Sequence, residues 1–247
     1  MLDILYHDTD LIAIHKPSGL LVHRSPLDAH ETRFAVQILR DQIGMRVYPA
    51  HRLDKGTSGI LLFALNPSCA TVLGTLFEAR QIEKHYVAIV RGHPAETGTI
   101  DYPLNRRSDP AERLKTPHDS APQPALTHYR CLAKTELPYC VDRYPSSRYA
   151  LVTLNPVTGR RHQLRRHLKH ISHPIIGDAT FGKGQHNRLF QTHFDSHRLL
   201  LACTRLTFQH PYSDTRICIE APPAPDFMQV IEKLGWDYPT GPITDRL

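Results

Sequence analysis

Nothing in the 247-residue sequence approaches the run of ~20 apolar residues that spans a bilayer. Asp3 and Asp8 stand where a secretory leader would carry its basic segment, so a leader is not expected. Cysteine is sparse and unpatterned. Cys69, Cys131, Cys140, Cys203 and Cys218 are odd in number and contain no CxxC pair. That set argues against a disulfide framework or a cysteine zinc site and for free thiols in a reducing cytoplasm. There is also no P-loop, no GxGxxG, no HExxH and no internal repeat, so the common sequence marks of phosphoryl transfer, dinucleotide binding and zinc hydrolysis are missing.

What is present is positive charge. Thirty lysines and arginines face 24 acidic residues, giving a net charge of +6 and a pI near 9.1, with 17 histidines besides. Such a balance favours a polyanionic partner, RNA being the commonest for a cytoplasmic protein; a basic protein with no nucleic-acid partner remains open on charge alone. The length allows one large domain or two small ones, and 40% hydrophobic residues suffice for a packed core.

One stretch stands out: His51-Arg52-Leu53-Asp54-Lys55-Gly56-Thr57-Ser58-Gly59, running into the apolar residues 60–65. It has no hydrophobic period, sets one carboxylate between two cations and ends in two glycines. The pattern predicts a tight loop feeding a buried strand, a placement suited to a catalytic carboxylate. An ordinary turn with Asp54 paired to Arg52 or Lys55 fits the local pattern equally well.

Around it, residues 2–6 and 11–15 read as strands across a turn, and residues 32–43 as a helix stopped by Gly44. Asn66 and Pro67 read as N-cap and first residue of a second helix. Strands are predicted at 86–90, 99–104, 126–132 and 149–154, a basic helix at 162–171, a hairpin pair at 199–208 and 215–220, and a last helix ending at Gly235. Residues 105–124, polar and proline-rich, with Arg106, Arg107, Arg113 and Lys115, read as a surface loop, either flexible or an RNA-contacting insertion. Strands outnumber helices and many are joined by short turns, which favours an α+β fold with a largely antiparallel sheet.

The central stretch resembles the signature of the RluA family of pseudouridine synthases. Lys16-Pro17-Ser18-Gly19-Leu20-Leu21-Val22-His23 resembles that family's N-terminal motif. Residues 83–90 resemble the segment carrying its active-site tyrosine, Gly159-Arg160-Arg161-His162-Gln163-Leu164-Arg165 its third motif, and residues 173–178 the segment that follows. The resemblance implies a mixed, mostly antiparallel central sheet with flanking helices and loops and a central cleft. With the first motif beginning at Lys16, it implies one catalytic domain over residues 1–247 and no N-terminal accessory RNA-binding domain. It also implies isomerisation of a uridine in structured RNA, by breaking the N1–C1′ bond and rejoining the base through C5. Neither a cofactor nor a metal is required, and neither a membrane nor an obligate protein partner is expected.

By the same resemblance Asp54 is the catalytic carboxylate and Arg165 the cation that keeps it ionised and oriented, with a plain phosphate contact as Arg165's other reading. Tyr86 is the residue that stacks on, or hydrogen-bonds to, an everted uracil, and Leu164 lines the base pocket. Arg52 contacts RNA near the vacated base position, and Lys16, Arg161, Arg166 and Lys169 are phosphate-contact candidates. Ala202 departs from the family, whose members often carry histidine there. Segments outside the motifs, residues 123–129 and 144–149 and the Arg165-Arg166 doublet, resemble the branch that modifies uridine 65 of tRNA; a branch acting on ribosomal RNA, or on both RNAs, is the alternative. Two other classes fit parts of the sequence. The crowding of His162, His167, His170 and His173 suggests a metal-dependent hydrolase, and the basic charge suggests an RNA-binding module without catalysis.

Overall fold

A strand apolar on both faces has to be covered on both sides, and the run after Gly59 is such a strand. The computed structural model describes residues 1–24, 30–105, 121–141 and 143–239. In it Ser58–Ala64 (β4) is wholly buried. β4 sits inside a sheet with β1 (Asp3–His7), β2 (Leu11–Lys16), β3 (Tyr48–Pro49), β5 (Glu83–Arg91), β6 (Thr97–Asp101), β7 (Leu126–Leu137), β8 (Ser147–Pro156), β9 (Leu201–Gln209) and β10 (Arg216–Glu220). The order is β1-β2-β4-β9-β5-β8-β7-β6, with β3 beside β4 and β10 beside β9.

Every pairing among these strands is antiparallel except β4 with β9, which are parallel over two residue pairs, Ser58 with Ala202 and Gly59 with Cys203. Two antiparallel half-sheets therefore meet at a short parallel seam. Gly59 makes the seam possible. Its φ is +101°, and a Cβ there would lie 2.0 Å from the Cys203 carbonyl oxygen, so no other residue type fits.

Alternation along the strands divides the core in two. Tyr86, Ala88 and Val90 of β5 and Ala150, Val152 and Leu154 of β8 face one cluster, shared with β2 and β4 and covered by α1 (Ala35–Ile43), α2 (Pro67–Glu78) and α3 (Gln163–His170). Val87, Ile89, Tyr149 and Leu151 face the other, covered by α4 (Gly184–Phe194) and α5 (Pro225–Lys233).

The elements follow the sequence pattern closely. The Asn66 side chain accepts a hydrogen bond from the Cys69 amide at 2.8 Å and Pro67 opens α2, and Gly44 closes α1 in the left-handed region. α1 begins at Ala35, not 32, because Phe34 is extended and bridges Leu21. β6 lies at Thr97–Asp101 rather than 99–104, in register with β7, which runs on to Leu137. α4 was not foreseen. Of the expected 105–124 loop, residues 106–120, including Arg106, Arg107, Arg113 and Lys115, lie outside the described residues; at its base Leu104 pairs with Gln123.

Candidate active site

The loop before β4 is held from three directions. His51 is half-buried, stacked on Phe77 at 4.9 Å, and its Nε2 accepts the Leu62 amide at 3.1 Å. Burial, with help from the Lys84 charge, pushes its pKa down to about 3, so the ring is a neutral acceptor at physiological pH. The turn at Lys16-Pro17-Ser18-Gly19 is sewn to the same loop. The Gly19 amide donates to the Lys55 carbonyl at 2.8 Å and Ser18 Oγ to the Gly56 carbonyl at 2.7 Å. Lys16 Nζ donates to the carbonyls of Pro17, Leu20 and Lys55 at 2.9, 2.8 and 3.2 Å. The expectation that Lys16 contacts phosphate is therefore corrected: it is 0% exposed and spends all three N–H groups on backbone oxygens. The first two motifs form one physical unit.

The third motif supplies the opposite wall. Gln163 fixes the start of α3, donating to the Leu126 carbonyl and Thr127 Oγ1, both at 3.0 Å, and accepting from Thr158 Oγ1 and the Arg160 amide. Two residues later Arg165 Nη1 reaches Asp54 Oδ2 at 2.9 Å. Its Nε and Nη2 clasp Asp178 at 2.7 and 2.9 Å, a fork geometry lysine cannot reproduce. Asp178, wholly buried, also accepts the amides of Thr180 and Phe181. Burial alone would raise its pKa, but Arg165 and the two amides more than offset this and hold it below the ordinary carboxylate range. Burial likewise opposes charge on Arg165; Asp178 and Asp54 outweigh it and raise that pKa. The result is a chain of fixed charges, Asp178–Arg165–Asp54, ending at a carboxylate that is 26% exposed in the cleft.

The cleft encloses about 1580 Å³ and is walled by the Asp54 loop, the residues before and within α3, and residues 195–199. That is more than the roughly 300–1,000 Å³ of a small-ligand pocket, leaving room for a nucleotide and its neighbours. Arg52, Arg161 and Arg166 line it, Arg166 also donating to the Asn105 carbonyl at 3.0 Å. Tyr86 and Leu164 are nearly covered, 8% and 7% exposed. The Tyr86 hydroxyl bonds the Cys203 thiol; burial, together with Cys203 and Asp54, pushes its pKa well above the ordinary value, so the phenol keeps its proton.

Sequence reasoning missed three groups: Asp178, His162 as a neighbour of Asp54, and Arg198. Arg198 spans the seam, donating to Ser58 Oγ and to Asp226 at the start of α5. Asp178 lay within a segment that resembles the family, but nothing local marks it as the partner of Arg165. Ala202 points into the α4/α5 cluster, away from the face shared by Tyr86, Leu164 and Cys203, so the missing histidine leaves the Asp54 wall unchanged.

The four crowded histidines do not converge. His167 bonds Thr127 Oγ1 and the Tyr102 carbonyl, His170 stacks on Tyr102, His173 bonds the Arg91 carbonyl, and His162 turns to the cleft. Among the described residues, Asp8, Asp10 and His210 cluster at ligand spacing. There His210 Nδ1 accepts the Tyr212 and Ser213 amides. Nε2 lies 3.2 Å from Asp8 Oδ2, so the cluster brings the turns of two hairpins together.

A family model described as RNA pseudouridylate synthase matches residues 10–170. The chain belongs to the RNA pseudouridylate synthase family. The tRNA pseudouridine synthase C of Pasteurella multocida (strain Pm70) is 51% identical to it over 236 residues, 96% of this chain and 97% of that one. The protein of the same name from Vibrio cholerae serotype O1 is 47% identical over the same shares. Among solved structures, human RNA pseudouridylate synthase domain containing 4 superimposes with a TM-score of 0.70 at 25% identity, covering 96% of this chain and 94% of that one. The chain is thus an isomerase acting on RNA, and the α+β sheet expected from the sequence is the fold of the family. Among the described residues no helix is long and apolar enough to cross a membrane.

Proposed function

We propose that this enzyme converts uridine 65 of tRNA to pseudouridine, with Asp54 as the catalytic carboxylate. The observation that carries the catalytic assignment is the ion pair between Asp54 and Arg165, backed by Asp178, at the wall of a nucleotide-sized cleft. Whether Asp54 attacks C1′ or removes a sugar proton, it must be ionised. A guanidinium that never deprotonates, itself locked by a second carboxylate, pairs with it and fixes its direction.

A base must leave its stack to reach that depth, at a cost of a few kcal/mol. Arg52, exposed on the loop two residues before Asp54, is placed to offset it by entering the gap, and Arg161 and Arg166 to hold phosphates. Tyr86, with its proton retained, and Leu164 are the residues we assign to meet the base; both are nearly covered and neither lines the open cleft. The choice of tRNA rests on full-length likeness to relatives named tRNA pseudouridine synthase C. The choice of position 65 rests on residues 123–129 and 144–149 and the Arg165-Arg166 doublet. One continuous sheet supports reading residues 1–247 as one catalytic domain, and five free cysteines support a cytoplasmic setting.

Chemical mapping of pseudouridine in cellular tRNA and ribosomal RNA, with and without the gene, tests the target. Loss of the modification at tRNA position 65 alone is expected; loss in ribosomal RNA instead would redirect the assignment.

A further inference from the structure

His162 faces the carboxylate oxygen of Asp54 that Arg165 does not take. Its Nε2 lies 3.7 Å from Asp54 Oδ1, and its side chain is 20% exposed to the cleft. The ring stands edge-on to Phe181 at 5.7 Å, and Phe181 also lies under the Arg165 guanidinium. The residue caps α3 with φ 55° and ψ 26°. That left-handed conformation, open to histidine more than to most side chains, turns the ring toward the cleft.

We propose that His162 is a catalytic base that accepts the proton from uracil C5 in the closing step of the isomerisation; this rests on the role of Asp54 proposed above. Once N1–C1′ has broken and C5–C1′ has formed, C5 bears both the sugar and its original hydrogen, and N1 is doubly bonded to C6. The C5–H bond then breaks. Its electron pair restores C5=C6, the former C6–N1 π pair moves onto N1, and the proton passes to His162 Nε2. N1 takes up one proton in return, and the imidazolium releases its own, so the enzyme ends as it began.

C5 is by then bonded to the carbon that Asp54 addresses, so its hydrogen leaves within a few ångströms of Asp54 and of the imidazole. Neighbouring groups are unsuited. Arg165 stays protonated, Lys16 is committed to three carbonyls, Asp178 is saturated by Arg165 and two amides, and the Tyr86 phenol keeps its proton.

The test uses tRNA transcripts carrying hydrogen or deuterium at uracil C5. Glycine tolerates both a helix cap and the left-handed backbone, so His162→Gly removes the ring with little strain, and His162→Asn provides a second variant suited to the same φ. Each is expected to lose about 100-fold in kcat with KM little changed, and to show a primary C5 deuterium isotope effect of about 2 or more that the native enzyme lacks. Free imidazole should restore part of the rate to His162→Gly. Native rates in both variants, or a lost rate with neither isotope effect nor imidazole response, would overturn the assignment and leave the ring a mere prop for Asp54. A native enzyme that never releases the C5 hydrogen from tRNA would overturn the tRNA reading instead, and this assignment with it.

Discussion

Asp54 and Arg165 are 111 residues apart in the chain and 2.9 Å apart in space. Replacing Asp54 by Asn keeps the shape and removes the charge. Isomerisation should fall by on the order of 10³-fold or more while RNA affinity persists, read by C5 hydrogen release and filter binding. Asp178→Ala leaves Nε and Nη2 of a largely buried guanidinium without their carboxylate, with Asp54 its remaining partner; a loss of up to about 3 kcal/mol is expected, visible as a lower denaturant midpoint. At Lys16 burial and the Arg198 charge pull the pKa down, while the three carbonyls that accept its N–H groups favour the charged ammonium. At this scale the sequence spoke unevenly. The nearness of Asp54 to Arg165 was legible through motifs that resemble a family. The burial of Lys16 was not, because a lysine sewn to carbonyls and one awaiting phosphate look alike in a string of letters.

Elements were legible where one physical signal dominated. Asn66-Pro67 announced α2 through its cap, and Asn66→Ala should cost about 1 kcal/mol in thermal or chemical unfolding. β4 announced itself by unbroken apolarity. α4 stayed hidden because Leu189, Phe190 and Phe194 are its only aliphatic or aromatic anchors, among His186, His193 and other polar residues, and its cap lacks a side-chain hydrogen bond. Its helicity comes from docking on the face formed by β5, β8 and β9, a tertiary gain no local pattern displays. The parallel seam was equally invisible, since two residue pairs leave no period. Its necessity can still be measured. Gly59→Ala forces a Cβ to 2.0 Å from the Cys203 carbonyl oxygen at φ +101°. A loss of roughly 3 kcal/mol or more, or no folded protein at all, is expected in thermal melts.

For the whole molecule, the excess of positive charge and the arginines along the cleft set how it meets a polyanion. Each phosphate neutralised releases counterions, so log K for tRNA should fall linearly with log salt, losing on the order of 10³-fold between 50 and 200 mM if about six phosphates are held. Titration of labelled tRNA at several salt concentrations checks this, and a flat dependence would contradict it. The mixed, mostly antiparallel character of the sheet was readable from the count of strands and the shortness of their turns. The order β4-β9-β5 was not, because it depends on which strands meet across more than a hundred intervening residues. That arrangement governs when the molecule becomes competent. Asp54 belongs to one half-sheet and Tyr86 to the other; the halves meet at Ser58–Ala202 and Gly59–Cys203, and Arg198 bolts the join to α5. A nascent chain stopped short of residue 165 presents the Asp54 loop without its guanidinium, and one stopped short of 203 lacks the strand pairing that joins the halves. Only with the last third of the chain folded onto the first is the row Asp178–Arg165–Asp54 complete, so truncated copies should show no isomerisation.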